Sequence, residues 1–373
     1  MGSARWRARP RRGAAVGLLA CLVVLVGCSA TAPSGQAQAG AAAAPPAPSA
    51  PAAPPPGAPA QSLAAEAGSD GALRLEALLG QHTIQAGDLM RGRLRNDEDF
   101  AQAANAAVGQ NTEELARQVG ALGGADAAAR FQGLWTDHVT ALVNYARGLA
   151  TNDAAVRDEA RARLDALNTE IADVVATATQ GRLDRDAVRT ELGTHVNHLV
   201  TQADAYAAKD YARANTAYRE GYQHAFRLGA TLATGLLPPD QAARLGTPAW
   251  QLRSEMTRLL GEHVGLALGT LRAGATNGPD FPAMVGSLNG NTTDVTAAVG
   301  SLFGEPAASQ FMSLWADHLD LLGTYAADVG ANKQNRRQAV QDDLHNWQQR
   351  FATFIDTATQ SRVTATSATP SSS

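Results

Sequence analysis

An internal duplication restricts the fold of this chain more than any other feature. The pattern Phe-x-x-Leu-Trp-x-Asp-His occupies residues 131–138 and returns at residues 311–318. Upstream, Leu-Leu-Gly-x-His occupies residues 78–82 and returns at residues 259–263, in almost the same register. Several matches in order along the chain, including two tryptophans, indicate one structural unit that is present twice. The chain is therefore expected to build two similar modules.

Each copy has the periodicity of helices. In the first tryptophan segment, apolar residues stand at positions 131, 134, 135, 139, 142, 145 and 149, which is the spacing of a helix face. An Asn-Thr-x-acid pattern at residues 111–114 and 291–294 predicts two helix starts. Residues 156–179 and 337–359 predict one more long helix per copy, and residues 186–208 and 211–236 predict an additional hairpin after the first copy. No alternating strand pattern of useful length occurs. We predict an all-α fold of duplicated antiparallel helical bundle modules.

The N-terminus reads as an export signal. Five arginines precede an apolar run over residues 14–26, which is too short to span a bilayer as a helix. This run ends in Leu25-Val26-Gly27-Cys28, which resembles the lipobox of bacterial lipoproteins. The resemblance implies cleavage before Cys28, a diacylglycerol on the Cys28 thiol and an extracytoplasmic protein held at the cell membrane by this lipid anchor.

The sequence divides into five predicted segments. Proline runs such as residues 54–56 cannot lie inside helices, so the stretch behind the lipidated cysteine is predicted to be a disordered Ala/Pro-rich tether. The segments are the signal peptide (1–27), the lipidated cysteine with its tether (28–70), a first helical module with the extra hairpin (71–240), a second helical module (241–362) and a disordered tail (363–373).

Composition and motifs restrict the function. The formal charge is −4, and loss of the five signal-peptide arginines takes it to about −9, which argues against nucleic-acid binding because phosphate contacts need lysine and arginine. The only cysteines are Cys21 and Cys28, so the mature chain has no disulfide and no thiolate ligand. The motifs of serine hydrolases, zinc proteases, phosphate loops and dinucleotide folds are absent. We predict a non-enzymatic protein.

Five of the eight histidines are predicted to face the bundle cores: His82, His138, His195, His263 and His318. A buried imidazole is costly unless its nitrogens are bonded, so the recurrence of these histidines at core positions points to a transition metal or a haem. The repeat pairs His82 with His138, and His263 with His318. Two histidines fall short of the three or four ligands of a closed metal site. His195, with His198, would supply more ligands if its hairpin packs back on the bundle.

Asp137 and Asp317 stand next to histidines in the sequence. Neighbouring residues point about 100° apart around a helix, so these carboxylates are predicted to orient the histidines rather than to ligate the metal. The alternative is that all these histidines are structural, with bonds to backbone carbonyls, Asp or Tyr. The protein would then be an envelope spacer or a protein-interaction module. The protein or small-ligand partner is not identified by the sequence.

The helices with Leu-Trp-x-Asp-His and Leu-Gly-x-His resemble those of uncharacterised secreted bacterial proteins, over about residues 72–360. Some of these proteins carry copper amine oxidase-like names. The residues that such an enzyme needs are missing, because Asn144-Tyr145 is followed by Ala146 rather than an acid, and no His-x-His pair occurs. The resemblance implies a fold and a location, not a reaction.

Overall fold

The structure, a computed structural model, describes residues 69–359. These residues form eleven α-helices and no strand, so the predicted all-α fold is confirmed. The predicted signal peptide, Cys28, nearly all of the tether, and the tail at residues 363–373 lie outside the described residues. None of the described helices combines the length and the apolar character that crossing a membrane requires.

Six helices build the first half of the described chain. They are α1 (Ser69–Leu94), α2 (Glu98–Gly123), α3 (Ala125–Ala150), α4 (Ala154–Ala178), α5 (Arg185–Ala207) and α6 (Tyr211–Leu236). The short helix α7 (Pro239–Ala242) and a 3₁₀ turn lead to the second half. That half consists of α8 (Pro248–Ala275), α9 (Phe281–Phe303), α10 (Glu305–Gly330) and α11 (Gln334–Ala358). The sequence repeat pairs α1–α4 with α8–α11, and leaves the hairpin α5–α6 without an equivalent.

The connections between helices repeat as well as the helices do. Gly124 and Gly304 occupy equivalent positions of the two copies, and both have a positive φ in the one-residue turn before the tryptophan helix. Asn152 and Asn332 are equivalent too, and both adopt a positive φ after that helix. Asparagine and glycine tolerate this left-handed conformation better than other residues. Equivalent helices therefore end at equivalent positions.

The predicted helix starts at Asn111 and Asn291 are wrong. Both asparagines are buried in the middle of a helix, where each donates from Nδ2 to a backbone carbonyl of the preceding helix, at 3.0 Å to Leu78 O and 3.0 Å to Leu259 O. Helix α2 instead starts at Glu98, where the Asp97 carboxylate accepts the Phe100 N–H. A side chain that can cap a helix can also bridge two helices, and here burial selects the bridge.

Helix α1 lies at the centre of the molecule, in contact with α2, α3, α5, α6 and α8. A fully buried guanidinium joins it to the hairpin: Arg91 donates to Gln202 Oε1 at 2.8 Å, to Asn215 Oδ1 at 2.8 Å and to Ala214 O at 3.0 Å. The guanidinium also lies over the rings of Tyr206 and Tyr218. These bonds fix both helices of the hairpin against α1.

The two halves meet where α8 and α9 pack on α1 and α6. Arg219 of α6 makes a two-pronged ion pair with the buried Glu262 of α8, at 3.0 and 3.2 Å, and also bonds Asp294 of α9. Asp280, in the α8–α9 turn, is completely buried, pairs with Arg272 and accepts the Tyr206 hydroxyl at 3.0 Å. Polar groups from both halves thus form ion pairs and hydrogen bonds with one another at this junction.

Candidate metal centre

Three helices bring three imidazoles together inside the first half. His82 comes from α1, His138 from α3 and His195 from α5, and all three side chains are almost completely buried. Their ring centroids are 5.4 to 5.6 Å apart, and one nitrogen of each ring lies within 4.8 Å of the others. Within residues 69–359, no other group of three His, Cys, Asp or Glu side chains is this compact.

Local packing places each ring. Trp135 precedes His138 by one helical turn, stacks on Phe131 and covers the cluster, with its ring centroid 4.9 to 6.2 Å from the three imidazoles. The amide of Asn111 bonds the carbonyl of Leu78, one turn before His82 on α1. His195 reaches the cluster because the hairpin packs back on α1, the condition that the sequence left open.

The nitrogens of the cluster are short of hydrogen-bond partners. Trp135 donates its indole N–H to His82 Nδ1 at 3.2 Å. The other five nitrogens, which are His82 Nε2 and both nitrogens of His138 and His195, are buried without a protein partner. Buried polar atoms normally have a partner, so five orphaned nitrogens in three neighbouring rings indicate that this cluster can hold an ion or a water.

Burial also keeps these rings neutral. It lowers the pKa of His138 to about 4 and, together with neighbouring histidines, lowers the pKa values of His82 and His195 well below the usual range. A neutral imidazole has a free lone pair, and this is the form that binds metal ions. The arrangement can therefore hold one cation, or one water, at three nitrogens.

The second half contains a pair instead of a triad. His263 and His318 lie 5.7 Å apart between ring centroids, as the repeat predicted, and burial lowers the pKa of each to about 4. The third position is taken by Trp347, which stacks on His318 at 4.6 Å and donates its N–H to Leu314 O at 2.6 Å. The equivalent residue in the first half is Leu167. Two histidines fall short of the ligands that a closed site needs.

Asp137 and Asp317 do not orient the histidines. Each carboxylate is about half-exposed and pairs with an arginine of the next helix, Asp137 with Arg163 at 2.8 Å and Asp317 with Arg350 at 2.9 Å. The step of about 100° between neighbouring residues turns both aspartates out of the core, towards water. The prediction of an orienting role is therefore wrong, and these residues tie the tryptophan helix to the helix that follows it.

The prediction that His198 adds a ligand once the hairpin packs back is wrong. His198 faces His224 at 5.6 Å instead of joining the triad, and His224 Nε2 is bonded to the Glu191 carbonyl at 3.0 Å. The hydrogen bond from Trp135 to His82 was not predicted. The sequence signal for it was a tryptophan three residues before a core histidine, in both copies.

Comparison of the chain with protein-family models, with curated proteins and with solved structures finds no match.

Proposed function

We propose that the protein is a lipid-anchored, non-enzymatic binding protein whose histidine triad holds one transition-metal ion. His82, His138 and His195 are the proposed ligands. The observation that carries the proposal is the set of five buried imidazole nitrogens without partners, on three rings that each bring one nitrogen within 4.8 Å of the others.

The donor set favours particular metals. Three neutral imidazoles suit Zn²⁺ and Cu²⁺, whereas thiolate-seeking Cu⁺ has no cysteine here and Ca²⁺ or Mg²⁺ would require oxygen ligands. Nitrogens bound to zinc at about 2.0–2.1 Å are roughly 3.3 Å apart, so the triad, now within 4.8 Å, must close by small ring movements. A fourth ligand, water or a small anion, would complete a tetrahedral ion.

The complete burial of the triad supports a binding role rather than catalysis. A catalytic site leaves a path for its substrate, and none of the three imidazoles reaches the surface. The spacing of 5.4 to 5.6 Å between rings leaves room for a single ion or water, not for a porphyrin. We therefore propose a metal ion and not haem.

Trp135 supplies an internal reporter of metal binding. If His82 ligates through Nε2, its proton moves to Nδ1, which can then no longer accept the indole N–H. If it ligates through Nδ1, the lone pair that Trp135 now uses is taken by the metal. Either way the 3.2 Å bond is lost on loading. We expect a change in the fluorescence of Trp135 and in the ¹⁵N shifts of His82.

The test is metal binding by the mature chain, with Cys28→Ser to avoid lipid-driven association. We expect one equivalent of Zn²⁺ or Cu²⁺ in equilibrium dialysis, with the Trp135 fluorescence change at the same stoichiometry. His138→Gln should abolish both signals. The matched control is His318→Gln, the equivalent histidine of the second half, which should keep them.

Two results would overturn the metal proposal. One is a chain that binds neither metal at micromolar concentration, in which case a buried water bonded to the three rings satisfies the cluster. The other is binding that His318→Gln weakens as much as His138→Gln does. Circular dichroism of each variant separates loss of ligand from loss of fold.

The proposed anchor is supported by the signal-like N-terminus and by Leu25-Val26-Gly27-Cys28. Mass spectrometry of the mature N-terminal peptide should find Cys28 as the first residue, carrying a diacylglycerol. Cys28→Ser should move the protein from the membrane fraction. An N-terminus at any other residue would contradict the anchor and leave the metal proposal untouched.

A further inference from the structure

Helix α8 exposes a stripe of large apolar side chains. Leu252, Leu260, Val264 and Leu268 are each about 40% exposed, and they follow one another at multiples of four residues along one side of the helix. A stripe of about 16 residues spans about 24 Å. Single exposed apolar residues are ordinary, but a contiguous row of them marks a surface that another protein covers.

The first half shows what covers the equivalent stripe. In the register of the Leu-Leu-Gly-x-His repeat, Leu260 corresponds to Leu79, and Val264 to Thr83. Leu79 and Thr83 are each 1% exposed, whereas Leu260 is 40% and Val264 43% exposed. On α1 this stripe packs against α6, where Thr83 approaches Gly221. The stripe is open on α8 because the second half has no equivalent of α6.

Helix α11 shows the same difference. Its residues Leu344, Phe351 and Ile355 are only half-buried, whereas their equivalents on α4 lie in the buried core that α4 shares with α5. We define the open face as Leu260, Val264 and Leu268 of α8 together with Leu344, Phe351 and Ile355 of α11. In the first half, all six equivalent positions are buried, and both helices that carry them contact the hairpin α5–α6.

The stretches that flank the described helices contain too few large apolar residues to cover the open face. Residues 29–68 contain one large apolar residue, Leu63, and residues 360–373 contain one, Val363. Neither stretch can supply an apolar helix pair like α5–α6. This leaves the open face available to a second molecule.

We infer that the open face binds the open face of a second copy, giving a dimer with twofold symmetry. Two helices of one chain would pack on two helices of the other, as α1 packs on α5 and α6 and α4 packs on α5. A twofold contact places each residue near its own counterpart, so a charged face would repel itself. Between Arg258 and Arg272 of α8, the only ionisable side chains are Glu262 and His263, and both are buried. The α8 side of the face therefore carries no exposed charge that opposes self-association.

The test is the mass of the mature chain in solution, with Cys28→Ser, by sedimentation equilibrium from 1 to 100 μM in the absence of metal. We expect a dimer. The double variant Val264→Glu/Leu268→Glu should weaken the dimer roughly 100-fold or more, because it buries carboxylates at the contact. The matched control is Leu302→Glu/Phe303→Glu, at similarly exposed residues at the end of α9, and should remain dimeric.

A monomer at 100 μM would overturn the inference and leave the open face to a different protein. A dimer that Val264→Glu/Leu268→Glu does not weaken would overturn it too. Both substituted positions are exposed in the single chain, so the fold should survive, and circular dichroism checks this. The inference is independent of the metal proposal, because the triad lies in the first half.

Discussion

The core histidines owe their chemistry to burial. An imidazole in water titrates near neutral pH, whereas the enclosed rings of His138, His263 and His318 have pKa values lowered to about 4. They stay neutral down to moderately acidic conditions, with their lone pairs available. Thus a residue often used as a pH sensor acts here as an uncharged donor or acceptor, in both halves of the molecule.

The lowered pKa values predict acid sensitivity. Below about pH 6.5 the histidines of the unfolded chain become protonated, whereas the buried ring of the folded chain stays neutral down to about pH 4. The free energy of unfolding therefore falls as the pH falls through this window. His138 alone should contribute on the order of 3 kcal/mol to that loss. Urea unfolding in EDTA at pH 7 and pH 4.5 measures it, and His138→Gln should reduce the loss. A His138→Gln variant that loses as much stability as the unsubstituted chain would contradict the assignment.

The sequence supported part of this site. The repeat correctly placed His82 beside His138 and His263 beside His318, because duplicated spacing on neighbouring helices preserves contacts. It left His195 conditional, since local periodicity does not say where a hairpin docks. It misassigned Asp137 and Asp317, because adjacency along the chain is not adjacency in space on a helix. The role of Trp347 could not be anticipated from a position occupied by Leu167 in the other copy.

At the level of helices, the contact between α1 and α6 is unusually close. A Cβ added at Gly229 would lie 2.5 Å from the backbone Cα of Glu76, and one at Gly221 would lie 3.3 Å from Thr83 Cγ2. Small residues on α6 let its backbone approach that of α1. Because α5 and α6 form one hairpin, this approach also brings His195 of α5 to the triad. The geometry of the site therefore depends on glycines that are far from it in the sequence.

Gly229→Ala tests this close approach. We expect a loss of about 1–3 kcal/mol in the free energy of unfolding, because the methyl group meets backbone that cannot move aside. Metal affinity should fall with it as α5 shifts. The control is Gly133→Ala on α3, where a Cβ meets nothing within 4 Å and should add about 0.5–1 kcal/mol of stability. Chemical denaturation of both variants decides, and a similar change in stability for the two would refute the explanation.

Helix boundaries were partly predictable for a physical reason. Apolar periodicity identified the tryptophan helices and the hairpin, since each must bury a stripe. The capping pattern at Asn111 and Asn291 failed, because the same amide serves as a bridge between buried helices. An asparagine amide can cap a helix or bridge two helices, and the packing around it determines which of the two occurs.

For the molecule as a whole, the junction between the halves determines how it unfolds. Asp280 is fully buried between Arg272 and Tyr206, and Arg219 spans α6, α8 and α9. Removing one partner of a buried ion pair leaves the other uncompensated, at a typical cost of about 3–5 kcal/mol. The two halves should therefore melt together as long as this junction is intact.

Asp280→Asn should separate the two melting events. Calorimetry of the unsubstituted chain should give one transition, and the variant should give two, with the second half unfolding first because its core is smaller and lacks the hairpin. The control is Asp317→Asn, which breaks a half-exposed ion pair of the same type and should leave a single transition. Two transitions in the unsubstituted chain would contradict the coupling.

Truncating Trp347 would create a small-molecule cavity in the second half. Its indole stacks on His318, much as His195 stacks on His138 in the first half, so Trp347→Ala should leave a hollow the size of a bicyclic ring. Exogenous indole could occupy that hollow and restore the lost melting temperature, in the way that apolar cavities take up small aromatics. The thermal shift on adding indole to Trp347→Ala would measure this, and no shift would mean that the helices had collapsed. The stability of the second half would then respond to a small molecule, and the first half would separately hold the proposed metal ion.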